Sequence, residues 1–333
     1  MRDRIRTRTE ATLGVVVVQQ LIRIAAPDDR RVSSHGSRWR FWRSRVPGDV
    51  VPLVVSGPLL AGTFLALVYL EVRYPLRRSV EPKVRHVARN LALATFTAAA
   101  VRLAEMPAVL PIARRVAAGR WGLLGWASLP AWLDVLLAMV LLDYTLYVWH
   151  VLTHRVPLLW RLHVVHHVDR DLDASTALRF HFAEVVVSVG WRLGQVLLIG
   201  VSPLAFSAWQ TATLVSVMFH HANVRLPIAA ERRLNRFVVT PRMHGIHHSI
   251  VREETDSNWS SGLTVWDRLH GTLRLDVPQA DVTIGVPAYG DGHDVTLGKL
   301  VAMPFRPLRP GWELPGGGRP VRGASRSRRR LAA

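Results

Sequence analysis

The sequence predicts an all-α integral membrane bundle that gathers histidines at one end, and three observations carry the prediction. Apolar segments of spanning length recur at 50–72, 90–112, 129–149 and 185–219. At 1.5 Å per residue, about 20 apolar residues cross the hydrocarbon of a bilayer. The composition agrees: 49% of the 333 residues are apolar, 12 are Trp, and the mean hydropathy is +0.16 despite a formal charge of +19. Finally, histidines cluster at helical spacing just after apolar segments, in WHVLTH, HVVHH and HGIHH.

Three units are expected along the chain. Residues 1–49 are Arg-rich and patternless, and are expected to be a basic disordered tail. The apolar run at 13–26 is too short to span and lacks a small-residue cleavage site. A membrane-embedded domain follows over 50–304. From 305 the chain is rich in Pro, Gly and Arg, which predicts a second disordered tail over 305–333.

Within the domain, the first span is 50–72, followed directly by Arg73, Arg77, Arg78, Lys83, Arg85 and Arg89. The second, 90–112, is interrupted by Arg102 and Glu105. The third, 129–149, feeds into His150. Its Asp134 and Asp143 are costly in lipid and are expected to face protein or a cavity. Pro203 divides 185–219 into the halves of a tight helical hairpin. Residues 222–275, polar and aromatic, are expected to return to the aqueous side.

Orientation is mixed. Basic residues flank both ends of the first span, so they cast no vote. The histidine segments carry many Arg, which favours the cytoplasmic side for them. Three spans before His150 then place the N-terminus outside, against its own charge, unless one span is re-entrant.

The clusters are His150 and His154; His163, His166 and His167; and His244, His247 and His248, with His220 and His221 between the second and third. On a helix, positions i, i+3 and i+4 share one face, so each H-x-x-H-H copy is a fan of imidazoles. Two facing fans can enclose metal. The chain has no Cys, which excludes disulfides, thiolate ligands and a Cys nucleophile. Any metal is therefore held by His, helped by Asp or Glu. Neutral imidazole suits Fe, Cu, Zn and Ni, and eight or nine histidines suffice for two ions with positions left open. H-E-x-x-H is absent, against a zincin protease. No P-loop and no G-x-G-x-x-G after a strand is present, so electrons have to come from a partner.

Several segments, in order, resemble the fatty acid hydroxylase superfamily, also called the sterol desaturase family. LEVRYPLRR at 70–78 is similar to its Glu-x-x-x-Pro-x-Arg-Arg motif after the first span. LLDYTLYVWHVLTHRVPLLWRLHVVHH holds the first two histidine boxes. STALRFHFAE resembles the Arg-x-His-Pro-x-Glu segment, FHHANVRLP the His-x-Asn box, and VTPRMHGIHHS the third cluster. ETDSNWSSGLTVWDRLHGT resembles the terminal signature. Together they cover about 52–280.

The resemblance implies a membrane-bound di-iron oxygenase, using O2 and an external electron donor to hydroxylate or desaturate a lipid C–H bond. By position its metal ligands fall on His150, His154, His163, His166, His167, His221, His244, His247 and His248. It does not fix the roles of His181 and His220. Glu184, Asn223, Asp256 and Asn258 are candidates for orienting ligand imidazoles, or else for capping and turns. The chain departs from the pattern at Val151, Phe182 and His270, where Arg, Pro and Phe are usual. None of these removes a ligand.

Two other readings separate from this one. A metal-binding transporter or scaffold without oxygenase chemistry predicts histidines along a pore rather than around one pocket. A nucleic-acid binder is suggested by the net charge, but the basic tails carry much of that charge and suit anionic headgroups better. No nucleic-acid partner is expected.

Overall fold

A computed structural model describes residues 49–322. The expected N-terminal tail at 1–48 and the last residues, 323–333, lie outside the described residues. Among the described residues the chain is helical, with isolated β-bridges in place of strands.

The principal helices are α1 (Leu53–Arg73), α2 (Lys83–Ala100), α3 (Met106–Gly119), α4 (Ala131–Arg155), α5 (Pro157–His167), α6 (Phe182–Ile199), α7 (Pro203–His221), α8 (Ile228–Leu234), α9 (Pro241–His247) and α10 (Leu297–Ala302). Four helical stretches are long and apolar enough to cross a membrane: α1, the run Lys83–Gly125, α4 and α6. Large apolar side chains such as Leu103 and Leu198 point outward, 78% and 76% exposed, as a lipid-facing surface requires.

Prolines set the direction changes. Val156, just before Pro157, is held in extended backbone (φ −93°, ψ 117°) because the proline ring crowds an α conformation. The chain therefore breaks there, and α5 folds back beside the end of α4. At the hairpin expected near Pro203, Gly200 ends α6 in the left-handed region (φ 91°). The Ser202 side chain then accepts the Ala205 N–H to start α7, with Pro203 in the first turn.

Between α2 and α3 lies one π-helical turn, Val101–Glu105, containing both charges that interrupt the second apolar segment. A π turn wedges an extra residue into the hydrogen-bond ladder and shifts the register of the helix beyond it.

α1, α4 and α7 all end at one pole of the bundle. At that pole Glu71 accepts the Ala174 and Asn223 backbone N–H groups at 2.7 and 2.9 Å. Arg77 N–H donates to the Asn223 side chain, whose amide in turn donates to Arg77 C=O. The Glu-x-x-x-Pro-x-Arg-Arg segment thus bolts the first span to Asn223, two residues past His221. The opposite pole is closed where Val51 N–H donates to Ser207 Oγ and Arg114 pairs with Asp49.

The core divides accordingly. Val109, Ala113, Leu142 and Phe206 pack far from the histidine pole. Phe64, Leu67, Leu91 and Met218 pack α1 against α2 and α7. Val164, Val165, Val286, Tyr289 and Leu300 fasten the late segment onto α5.

A buried ionic network supports the second histidine box. His86 places Nδ1 2.8 Å from Asp173 and Nε2 2.9 Å from Asp169. Lys83 joins Asp173 to Glu71, and Arg179 reaches Asn90, Asp169 and Val165 C=O. Every charge here has a partner, which is what makes such burial tolerable. Burial works against the Asp169 carboxylate, but Arg179 and His86 outweigh it and hold the group below its ordinary range.

Over 305–322, where a disordered tail is expected, the chain lies along the body. Trp312 stacks on Trp160 at 5.7 Å, Arg309 forks onto Asp294, and Arg322 forks onto Glu254.

Candidate metal centre

Four elements deliver the histidines. α4 supplies His150 and His154 in its last turns, and α5 supplies His163, His166 and His167. α7 ends on His221, and α9 supplies His244 and His247, with His248 next in the chain. Because α5 is turned back at Val156, its fan faces that of α9. The rings interlock: His167 stacks on His248 at 4.3 Å, and His150 meets His247 edge-on at 4.5 Å.

The ring nitrogens fall into groups able to hold metal. His150, His154, His167 and His247 form one set, and His166, His221, His244 and His248 another. His163 joins His166 and His167 between them. All nine residues expected from the sequence are therefore brought together.

The donors also fit a metal chemically. His163 Nδ1 lies 2.9 Å from Glu184, His150 Nδ1 2.7 Å from Trp259 C=O, and His247 Nδ1 2.8 Å from Ser257 C=O. Donation from Nδ1 fixes the tautomer and leaves Nε2 as a lone pair. Nε2 of His154, His163, His167 and His247 is buried with no protein partner. In the second set the contacts run Nε2 to Nε2, at 3.1 Å for His166–His221, His221–His244 and His244–His248. Facing imine nitrogens repel unless a proton or a cation lies between them.

Burial first, then the neighbouring imidazoles, hold His166, His167, His244 and His248 well below the usual histidine range; burial brings His247 to about 3. Neutral imidazole is the form that ligates. Iron, with its affinity for several imidazoles and open positions, is compatible with this donor set.

The other candidates separate clearly. His181 caps α6: its Nδ1 accepts the Ala183 N–H, and its Nε2 donates to Val301 C=O. Phe182 takes the first helical position, where a Pro is equally at home, so the missing Pro costs the helix start little. His220 joins neither set, although its ring lies 4.1 Å from that of His244. Glu184 orients an imidazole; Asn223, Asp256 and Asn258 do not. Asp256 pairs with Arg155 and Arg252, while Asn258 (φ 56°) ties Met243 C=O to Arg274. His270 stacks on Tyr147 at 5.0 Å, so an aromatic ring is kept there. Asp143 is buried against Leu263 N–H and Trp266 Nε1, as expected of a carboxylate in a spanning segment. Asp134, in the first turn of α4, is only partly covered.

Sequence reasoning missed the carbonyls of Ser257, Trp259 and Val217, the last 2.8 Å from His221 Nδ1. A backbone acceptor has no residue signature.

A cavity of about 630 Å³ opens from this centre into the bundle. His150, His163, His166, His221 and His244 line one end; Leu60, Phe64, Leu146 and Leu214 line the wall beyond.

Residues 135–272, which contain all nine histidines, match the family model for fatty acid hydroxylases. Over that stretch the chain is similar to the fatty acid hydroxylases. Similar proteins include the ornithine lipid hydroxylase of Rhizobium tropici, 32% identical over 47% of this chain and 46% of its own length. The alkylglycerol monooxygenase of Homo sapiens is 25% identical over 57% of this chain and 39% of its length. The cholesterol 25-hydroxylase of Homo sapiens is 24% identical over 71% of this chain and 88% of its length. The chain thus spans less than half the length of the first two. No solved structure gives a significant match to it.

Proposed function

We propose that this chain is an iron-dependent membrane oxidoreductase that hydroxylates a C–H bond of a lipid with O2. The observation that carries this reading is the opening of both four-histidine sets onto one apolar cavity. Histidines ring one pocket, where a transporter needs them along a pore. The named relatives are hydroxylases and a monooxygenase, which favours hydroxylation over desaturation.

His150, His154, His167 and His247 would hold one ion, and His166, His221, His244 and His248 the other, with His163 between. Bound iron supplies O2 activation: one oxygen atom enters the C–H bond and the other leaves as water, with electrons from an external donor. The protein's own residues do the rest. Glu184 and the Ser257 and Trp259 carbonyls hold the imidazoles in their ligating tautomer. The apolar wall of Leu60, Phe64 and Leu146 takes the hydrocarbon and excludes water. Arg-rich segments around the histidine pole favour its placement on the cytoplasmic side.

The test is lipid profiling by mass spectrometry of a host with and without the gene, paired with O2 uptake by iron-loaded protein supplied with a reductant. A lipid gaining one oxygen is expected only with the intact gene and is lost in His247→Ala. An unchanged lipid profile with no O2 uptake under any donor refutes the reading.

A further inference from the structure

The cavity wall is not apolar throughout. Glu105, in the π-helical turn, and Arg192, on α6, both line it, and so does Gln210 on α7. Gln210 Nε2 donates to Glu105 Oε1 at 2.6 Å, and among the described residues no group donates to the second carboxylate oxygen. Arg192 lies over the Trp209 ring at 4.7 Å and donates to Gln195, while its buried Nε has no partner. The two charges are near enough to act on each other electrostatically, yet they form no salt bridge. Opposite charges inside an apolar bundle normally close on one another, because each is costly when left unpaired. Here both line one cavity without closing on each other. The π turn holds Glu105 in place, and such turns concentrate at functional sites.

Resting on the hydroxylase reading above, we infer that Glu105, Gln210 and Arg192 form the recognition point for the substrate's polar head, and that this head is a neutral group that both donates and accepts, a hydroxyl or an amide. A hydroxyl donates to Glu105 and accepts from Arg192. A carboxylate is repelled by Glu105, and an ammonium by Arg192. Gln210 lies eleven residues before His221 on α7, about 16 Å along the helix axis. The head is therefore held at the far end of the cavity while a distant C–H bond lies at the histidines.

The test is equilibrium binding to purified full-length protein in detergent. Bound radiolabelled hexadecanol is competed with unlabelled hexadecanol, its methyl ether, and hexadecanoate. Wild type should prefer the alcohol over both competitors by about tenfold or more, the size of a lost hydrogen bond to a charged group. Glu105→Gln removes the repulsion but leaves Arg192, so hexadecanoate should gain about tenfold relative to the alcohol. That gain in a variant cannot come from misfolding. Equal binding of the three heads by wild type, or no gain of hexadecanoate relative to the alcohol in Glu105→Gln, overturns the inference. The wild-type arm stands even if the variant does not fold. Binding needs no turnover and is measured on metal-free protein too, so a failure of oxygenase chemistry reads separately.

Discussion

At the residue scale, the centre depends on nitrogen atoms that have nothing else to do. Nε2 of His154, His167 and His247 is buried and unpartnered, whereas both nitrogens of His181 are taken. Accordingly His167→Ala and His247→Ala should each lower bound metal by about one ion per chain and abolish turnover. His220 also has buried, unpartnered ring nitrogens but joins neither four-histidine set, so His220→Ala should keep its metal, and elemental analysis decides between the two patterns. Glu184 acts one step removed, through His163. Glu184→Ala should weaken metal affinity by about 10–100-fold, as measured by chelator competition, with Glu184→Gln recovering part of it because its amide oxygen still accepts. These histidines were legible because covalent spacing on a helix fixes which side chains share a face. The acceptors at Ser257 and Trp259 were not, because a carbonyl is the same in every residue. Nor was the role of Glu105 legible: in the sequence it reads only as a break in an apolar run.

At the element scale, the turns decide whether the fans meet. The hairpin at Pro203 was read from the sequence, since proline's geometry is local, whereas the break at Val156–Pro157 came only with the structure. The close approaches were likewise not legible. A Cβ at Gly200 would fall 2.5 Å from Trp121 C=O, at a φ that L residues avoid. Gly200→Ala should therefore destabilise by about 1–2 kcal/mol from the left-handed conformation, with steric cost added. A lower thermal midpoint in detergent, with metal stoichiometry unchanged before melting, is the expected result. Gly245 matters differently: a Cβ there would lie 2.4 Å from Arg77 Nη1, which already donates to Gln279. Gly245→Ala should displace Arg77 and disturb His244 beside it, seen as weakened metal binding.

For the whole molecule, the helical membrane architecture follows from apolar length and composition, which the sequence displays openly. The packing of 305–322 does not, because Pro, Gly and Arg lack apolar periodicity even where single contacts fix the chain. Arg322 on Glu254 and Trp312 on Trp160 tie that segment to the short turn of helix after the third histidine box and to α5. Deleting 305–333 should lower thermal stability and speed metal loss, whereas deleting only 324–333 should do neither. The ionic network under the second box was equally hidden, since residues as far apart as His86 and Asp173 meet only once the bundle closes.

A metal count bears most directly on the histidine centre. Full-length protein, purified in detergent after growth with iron, should carry about two ions per chain by elemental analysis, and about one after His247→Ala. A wild-type protein that binds no metal at saturating iron, or a His247→Ala protein that keeps the full wild-type count, would contradict a two-ion centre built from these nine histidines.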